Sequence, residues 1–186
     1  MLFRSPKKLI LDVGCGPGFL EVRLKTRRLD VRLVGIDIDS EMLSTARAES
    51  GLEPVRANAA QLPFEDGSLD CVVSSASLKD WANQRAGLLE IVRVLRLGGI
   101  AYLYDFITKG PGSDPPGFAR RYGTVSNLLR IVARFVIPFG IDDARALAQA
   151  VGSEAITEVT TYPDLGVVKL TLRKISSEPA ARASPK

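Results

Sequence analysis

Five strand-like runs and three helical ones take turns over residues 8 to 106, and that order leaves few folds open. The apolar, β-prone "KLILDV" (8–13) is followed by a helical segment from about Phe19 to Arg28 with Leu20 and Leu24 on one face. "DVRLVGID" (30–37) reads as a second strand, and Ser40 is placed to cap the next helix through its hydroxyl, with Glu41 at the positive end and Gly51 as the stop. "PVRAN" (54–58) leads through the turn-forming "LPFEDGSLD" to "LDCVVSS" (69–75), a continuous apolar run of the kind buried on both faces of a parallel sheet. A helix over 83–97, with Leu88, Val92 and Leu95 on one stripe and Arg93 and Arg96 outside, ends at Gly98-Gly99 before "IAYLYDF" (100–106).

Strands alternating with helices pair in parallel through right-handed crossovers, which predicts an α/β, doubly wound, Rossmann-like sheet. Beyond Phe106, "ITKGPGSDPPG" holds three prolines and three glycines in eleven residues and reads as loop. An amphipathic stretch follows over 118–136, and Asp142 is expected to cap a short helix that runs to Ala150. Two alternating segments, about 154–162 and 166–173, are separated only by "PDL", so they form an antiparallel pair and bring the sheet to about seven strands. Residues 1–175 are expected to make one domain, and 176–186, poor in apolar residues, a disordered tail.

The turn after the first strand carries the chemistry. In an open parallel sheet the ligand lies beyond the carboxyl ends of the strands. There "GCGPG" sets Gly14, Gly16 and Gly18 two apart. Bare peptide at that place admits unusual φ values and lets a carboxylate or phosphate lie against the backbone and the free N–H groups of the next helix. A dinucleotide fingerprint would need its third glycine where Phe19 stands, and a phenyl ring there is expected to crowd the helix against the strand. Asp37 ends the second strand, where an acid can accept hydrogen bonds from both hydroxyls of a ribose; Asp39 is read as support for the turn or the helix entry.

Composition closes several routes. The chain has no histidine, which removes imidazole as a general base or metal ligand and most Ser/His and Cys/His nucleophile schemes, so no metal site is expected. Its two cysteines, Cys15 and Cys71, read as reduced core residues, which disfavours disulfide and zinc frameworks. The net charge of +4 is spread in mixed-sign order and reads as solvated surface, although it leaves RNA or an anionic membrane open. No run has the length of a transmembrane span and no signal peptide is evident, so a cytoplasmic protein is expected.

Four segments in order resemble the class I S-adenosylmethionine-dependent methyltransferases: "LDVGCGPG", "VGIDIDSEML", "RANAAQLPFEDGSLDCVVSS" and "EIVRVLRLGGIAYLYDF". The resemblance covers about residues 8 to 173, and "LPFEDGSLD" and "RVLRLGG" are most similar to the small-molecule methyltransferases of the ubiquinone and menaquinone biosynthesis type. It implies S-adenosylmethionine as cofactor and S-adenosylhomocysteine as product. By it, the backbone of Gly14, Cys15, Gly16 and Gly18 receives the methionine moiety, Asp37 the ribose, and Ile38 and Met42 the adenine faces. Asn58 stands where relatives carry an Asp toward the adenine amino group, and the Ala59 N–H would meet a ring nitrogen. Asp12 is expected to orient the glycine turn or the ligand's ammonium group, and Ser74 ends the fourth strand beside the cofactor.

A methyl sulfonium carries its own leaving group, so the protein chiefly has to align an acceptor with the S–CH3 bond, and the missing histidine is tolerable. Substrate-facing candidates are Ser74 to Ser77, Trp81, Tyr104 and, in the segment 107–141 where this fold inserts a substrate lid, Tyr122. Asp80 and Asp105 are the candidate proton acceptors. "SLKDW" replaces histidines common in the quinone-type relatives, which leaves the acceptor open between a small molecule, RNA and protein. About seven residues precede the first strand, which predicts a pocket that is open or completed by another chain. A cofactor-binding scaffold without activity and a nucleotide-binding oxidoreductase are the readings from other classes.

Overall fold

A computed structural model describes residues 8–27, 31–50, 54–111 and 139–175. The elements, in chain order, are β1 (Lys8–Val13), α1 (Phe19–Thr26), β2 (Val31–Asp37), α2 (Ser40–Ser50), β3 (Val55–Arg56), β4 (Leu69–Ser75), α3 (Gln84–Val94), β5 (Leu95–Phe106), α4 (Ile141–Ala150), β6 (Ala155–Tyr162) and β7 (Val167–Lys174). The strands form one sheet in the order β3-β2-β1-β4-β5-β7-β6. β1, β2, β3, β4 and β5 run parallel, and β7 lies antiparallel between β5 and β6. The order reverses between β1 and β4, so the crevice of the switch point opens above the glycine turn.

The two faces of the sheet are covered differently. Leu11, Val72, Leu103, Leu170 and Leu172 point to one face and are fully buried against Leu88, Ile91 and Val92 of α3 and Ala144 and Ala148 of α4. Burial of such a leucine is worth roughly 2 kcal/mol. Helices α1 and α2 pack together beside β2 at the other end of the sheet. Asn83 caps α3, its side-chain oxygen accepting from the Ala86 N–H at 3.0 Å.

The observed boundaries correct three expectations. The α2 cap is Asp39, whose Oδ1 accepts from the Glu41 and Met42 N–H groups at 2.8 and 3.3 Å, while Ser40 is the first helical residue. At α4 the cap position is Gly140 and Asp143, not Asp142, reaches back to its N–H at 2.7 Å. Helix α3 stops at Val94, and Leu95 already pairs with Leu69 as strand; between that pair and Cys71–Ile100 the β5 side bulges out, with Gly98 at φ 73°. Leu95 is fully buried in either reading, so its side chain gave no signal of the switch.

The amphipathic stretch 118–136, Tyr122 and the tail 176–186 lie outside the described residues. The two ends of the intervening segment meet: the Thr108 N–H donates to the Phe139 carbonyl and the Phe139 N–H to Thr108 Oγ1, both at 2.7 Å.

Candidate functional site

Local sequence explains the turn. Gly14, Gly16 and Gly18 all take left-handed φ values, 73°, 53° and 84°, which side chains other than glycine rarely adopt. The Gly14 and Cys15 N–H groups donate to the Ile36 carbonyl at 2.8 and 2.9 Å, which ties the turn to the end of β2. Asp37 then joins turn and crevice: its Oδ2 accepts from the Gly16 N–H and its Oδ1 from the Asp39 N–H, each at 2.9 Å. A carboxylate oxygen has lone pairs to spare, so Asp37 stays able to accept from a ligand's hydroxyls. No atom lies within 4 Å of where a Gly16 Cβ would stand, so the backbone there faces open space.

A cavity of about 630 Å³ lies over this turn. Of the expected cofactor contacts, Asp12, Gly14, Cys15, Gly16, Asp37, Ile38, Met42, Asn58 and Ala59 line it. Gly18 and Ser74 do not; Gly18 turns into α1, and Ser74 is buried beneath while Ser75, Ala76 and Ser77 face the cavity. Ile38 and Met42 are exposed apolar groups, as walls for a planar ring would be. Asn58 has its Oδ1 on the Ala60 N–H at 2.9 Å, which closes a small turn and leaves one lone pair for a ligand.

The far wall comes from the segment after β4. Trp81 Nε1 donates to Ser77 Oγ at 2.8 Å, and its ring lies where a Cβ on Gly87 would come within 2.5 Å. Ser77 in turn sits so close to Gly14 that a Cβ there would lie 1.8 Å from its hydroxyl. Two glycines thus make room for the Ser77–Trp81 pair. Ala76 holds φ 56°, with its N–H on the Tyr104 carbonyl, and this strained residue swings the segment over the cavity.

The candidate proton acceptors separate. Asp80 lines the cavity and is held by Lys79 Nζ at 2.6 Å. Asp105 does not line it: Oδ2 accepts from the Lys79 N–H and Oδ1 from the Phe106 N–H, at 2.9 and 2.8 Å, and burial raises its pKa to about 6. It is an anchor under the Lys79 turn. Tyr104 lies outside the cavity, its ring partly exposed on the opposite sheet face from Asp105.

Phe19 corrects another expectation. It does not crowd the strand but is 75% exposed at the cavity rim. The close approach of α1 to β2 is made by Glu21, whose Oε1 lies 2.7 Å from where a Gly35 Cβ would be. Glu21 was not among the expected site residues. The glycine opposite it, fourteen positions later, was the signal available in the sequence. Its carboxyl is buried beside Asp12, and burial together with that neighbour holds Asp12 well above the usual carboxylate range. Cys15, beside the same acids, is a free thiol pushed up to about 12 by burial first and by Glu21, Asp12 and Asp37 next.

This lining has the chemistry S-adenosylmethionine requires: an open glycine cradle, a carboxylate with free lone pairs, two exposed apolar side chains and no metal-type ligand cluster among the described residues. Residues 11–103 match the family described as a methyltransferase domain. The chain is 32% identical over 142 residues to the demethylmenaquinone methyltransferase of Deinococcus radiodurans, covering 74% of this chain and 54% of that protein. It is 34% identical over 143 residues to the enzyme of the same name from Thermus thermophilus, covering 74% and 60%. The chain thus spans little more than half the length of these curated relatives. A methyltransferase from Aquifex aeolicus described as S-adenosylmethionine-dependent superposes with a TM-score of 0.65 at 16% identity over 92% of this chain and 85% of that one, a likeness of fold. With the match over residues 11–103 spanning half of its residues, the chain belongs to the methyltransferase domain family.

Proposed function

We propose that this protein binds S-adenosylmethionine over the Gly14–Gly18 turn and transfers its methyl group to a small-molecule acceptor. The observation that carries the reading is the hydrogen bond from the Gly16 N–H to Asp37, which fixes a sugar-binding carboxylate and an open stretch of peptide on one cavity wall. When bound, the cofactor supplies an electrophilic methyl group on a sulfonium with its leaving group attached.

The chain's own part is positional. Asp37 accepts from the ribose hydroxyls, Ile38 and Met42 enclose the base, and Asn58 and Ala59 meet its edge. Trp81, held by Ser77, forms a flat wall on the side where an acceptor enters, and excludes water there. Alignment of reacting atoms can supply about 7–11 kcal/mol in favourable cases, so a fixed wall matters more here than a strong base. Asp80 is the one acid of the two candidates positioned to take a proton from the acceptor, with Lys79 holding its carboxylate in place. The names of the relatives make a hydroxylated quinol-type ring the first acceptor class to try. A flat aromatic wall and the absence of histidine suit an acceptor that ionises readily. Cytoplasmic placement is part of the same reading; among the described residues no helix is long and apolar enough to cross a membrane.

One observation favours a second reading, a cofactor-binding subunit without activity of its own: no unpaired base faces the cavity among the two candidates. The test is methyl transfer from S-adenosylmethionine tritiated at the methyl group into separated metabolite, RNA and protein fractions. Label in the metabolite fraction is expected. Label in RNA or protein alone would overturn the acceptor class, and cofactor binding with no transfer to any fraction would favour the scaffold.

A further inference from the structure

Beneath the glycine turn lie two carboxyls that the reading above does not use as a pair. Asp12, on β1, and Glu21, in the first turn of α1, are 2% and 1% exposed. Asp12 Oδ1 and both oxygens of Glu21 are buried and accept from no N–H or O–H donor. Both flank Gly35, which is the strand partner of Asp12 and whose Cβ, if it had one, would stand 2.7 Å from Glu21 Oε1. Two carboxyls buried side by side with no donor cannot both stay ionised, so one proton remains with the pair.

The surroundings offer no substitute. The strand residues opposite Asp12 are Gly35 of β2 and Val73 of β4, neither titratable. The charged groups acting on Asp12 are Glu21 and Asp37, and the nearby Cys15 thiol feels the same acids. All are acidic. Gly35 leaves Glu21 just enough space, since any Cβ there would press on Oε1 at 2.7 Å. Asp12, unlike Glu21, lines the cavity.

We propose that Glu21 is a positioning residue of the cofactor site: it shares one proton with Asp12, and that proton leaves for solvent when the ligand's ammonium group arrives beside Asp12. The inference rests on the cofactor reading above and adds to it a charge device. Before binding, the shared proton keeps a buried cluster of acids from repelling itself; on binding, the ligand's cation takes over that task. Binding is then linked to proton release, so affinity rises with pH across the upper titration of the pair, by at most about tenfold per pH unit. Above roughly pH 8 the ligand's own amino group begins to lose its proton and the gain ends.

The test uses S-adenosylhomocysteine, which has the same amino-acid end and cannot react. Calorimetric titrations at pH 7.5 in two buffers of different ionisation enthalpy count the protons exchanged. Wild type is expected to release at least about 0.3 proton more than Glu21→Gln, whose amide N–H donates to an Asp12 that is already ionised, with affinity kept within about threefold. Infrared difference spectra of the wild type need no variant: the free protein should show a protonated-carboxyl C=O band at pH 7.5, where Asp105 is ionised, and lose it on binding. Absence of that band in the free protein, or equal proton counts for the two proteins, would overturn the shared proton. A protein that binds without losing the band would overturn the release alone. A folded protein that shows the band and binds no ligand would overturn the cofactor reading instead.

Discussion

Gly14 and Gly16 look alike in sequence and differ in what surrounds them. Both need left-handed φ, so alanine at either costs about 1–2 kcal/mol of backbone strain. At Gly14 the new Cβ would also land 1.8 Å from Ser77 Oγ and push the hydroxyl from Trp81, whereas at Gly16 it meets nothing within 4 Å. Gly14→Ala is therefore expected to lose clearly more stability in urea melts than Gly16→Ala, which should mainly weaken ligand binding. Asp105 gives a prediction with a sign. Its carboxyl is raised by burial from about 3.8 to about 6, so the folded protein holds that proton more tightly than the unfolded chain. The stability it contributes is complete below about pH 4 and is lost as pH rises through 6, by on the order of 2–3 kcal/mol. Asp105→Asn should remove that slope from a pH series of melts, and a variant with the same slope would contradict the assignment. At this scale the placement of Gly14, Gly16, Asp37, Ile38 and Met42 at the cavity was legible, because the motif keeps them within a few residues of strand ends. Glu21 and the pairing of Ser77 with Trp81 were not legible, because each takes its place from a glycine distant in sequence, Gly35 and Gly14.

Among the elements, α3 is more than a lid on the sheet. Arg93 was expected on its outer side, yet its guanidinium reaches the Phe64 and Leu62 carbonyls at 2.9 and 3.0 Å, Asp66 at 2.6 Å and Glu90 at 2.7 Å. Glu90 also accepts from the Leu62 N–H at 2.8 Å, which fixes the loop that follows Asn58 and Ala59. Arg93→Ala is expected to destabilise the fold by about 2 kcal/mol, since it removes several charge-assisted bonds and leaves loop carbonyls unpaired. Arg93→Lys should recover only part of this, because one ammonium cannot span the fork. A loss below about 0.5 kcal/mol for alanine, read from denaturant midpoints, would show the network to be idle. Strand and helix order was readable from alternation alone, but ends were not. Asp39 outcompeted Ser40 as a cap and Leu95 joined β5, because cap choice and the helix-to-strand switch are decided by neighbours that the local pattern does not contain.

For the molecule as a whole, the sheet order β3-β2-β1-β4-β5-β7-β6 places every piece of the site at one end of the strands, and the antiparallel β7 carries the sheet on to its edge strand β6. The expected antiparallel pair was visible in the short "PDL" link, which folds as a tight turn ending at Gly166 with φ 61°. That β7 inserts between β5 and β6 was not, since pairing partners remote in sequence leave no periodic trace. The account turns on whether this frame holds S-adenosylmethionine through the turn and Asp37. Isothermal titration at neutral pH measures this directly. One site per chain is predicted for S-adenosylmethionine, with Asp37→Ala weakening it by roughly ten- to a hundredfold while the unfolding midpoint stays close to wild type. Well-folded protein that gives no binding heat at two temperatures, or an Asp37→Ala variant that binds as tightly as wild type, would contradict it.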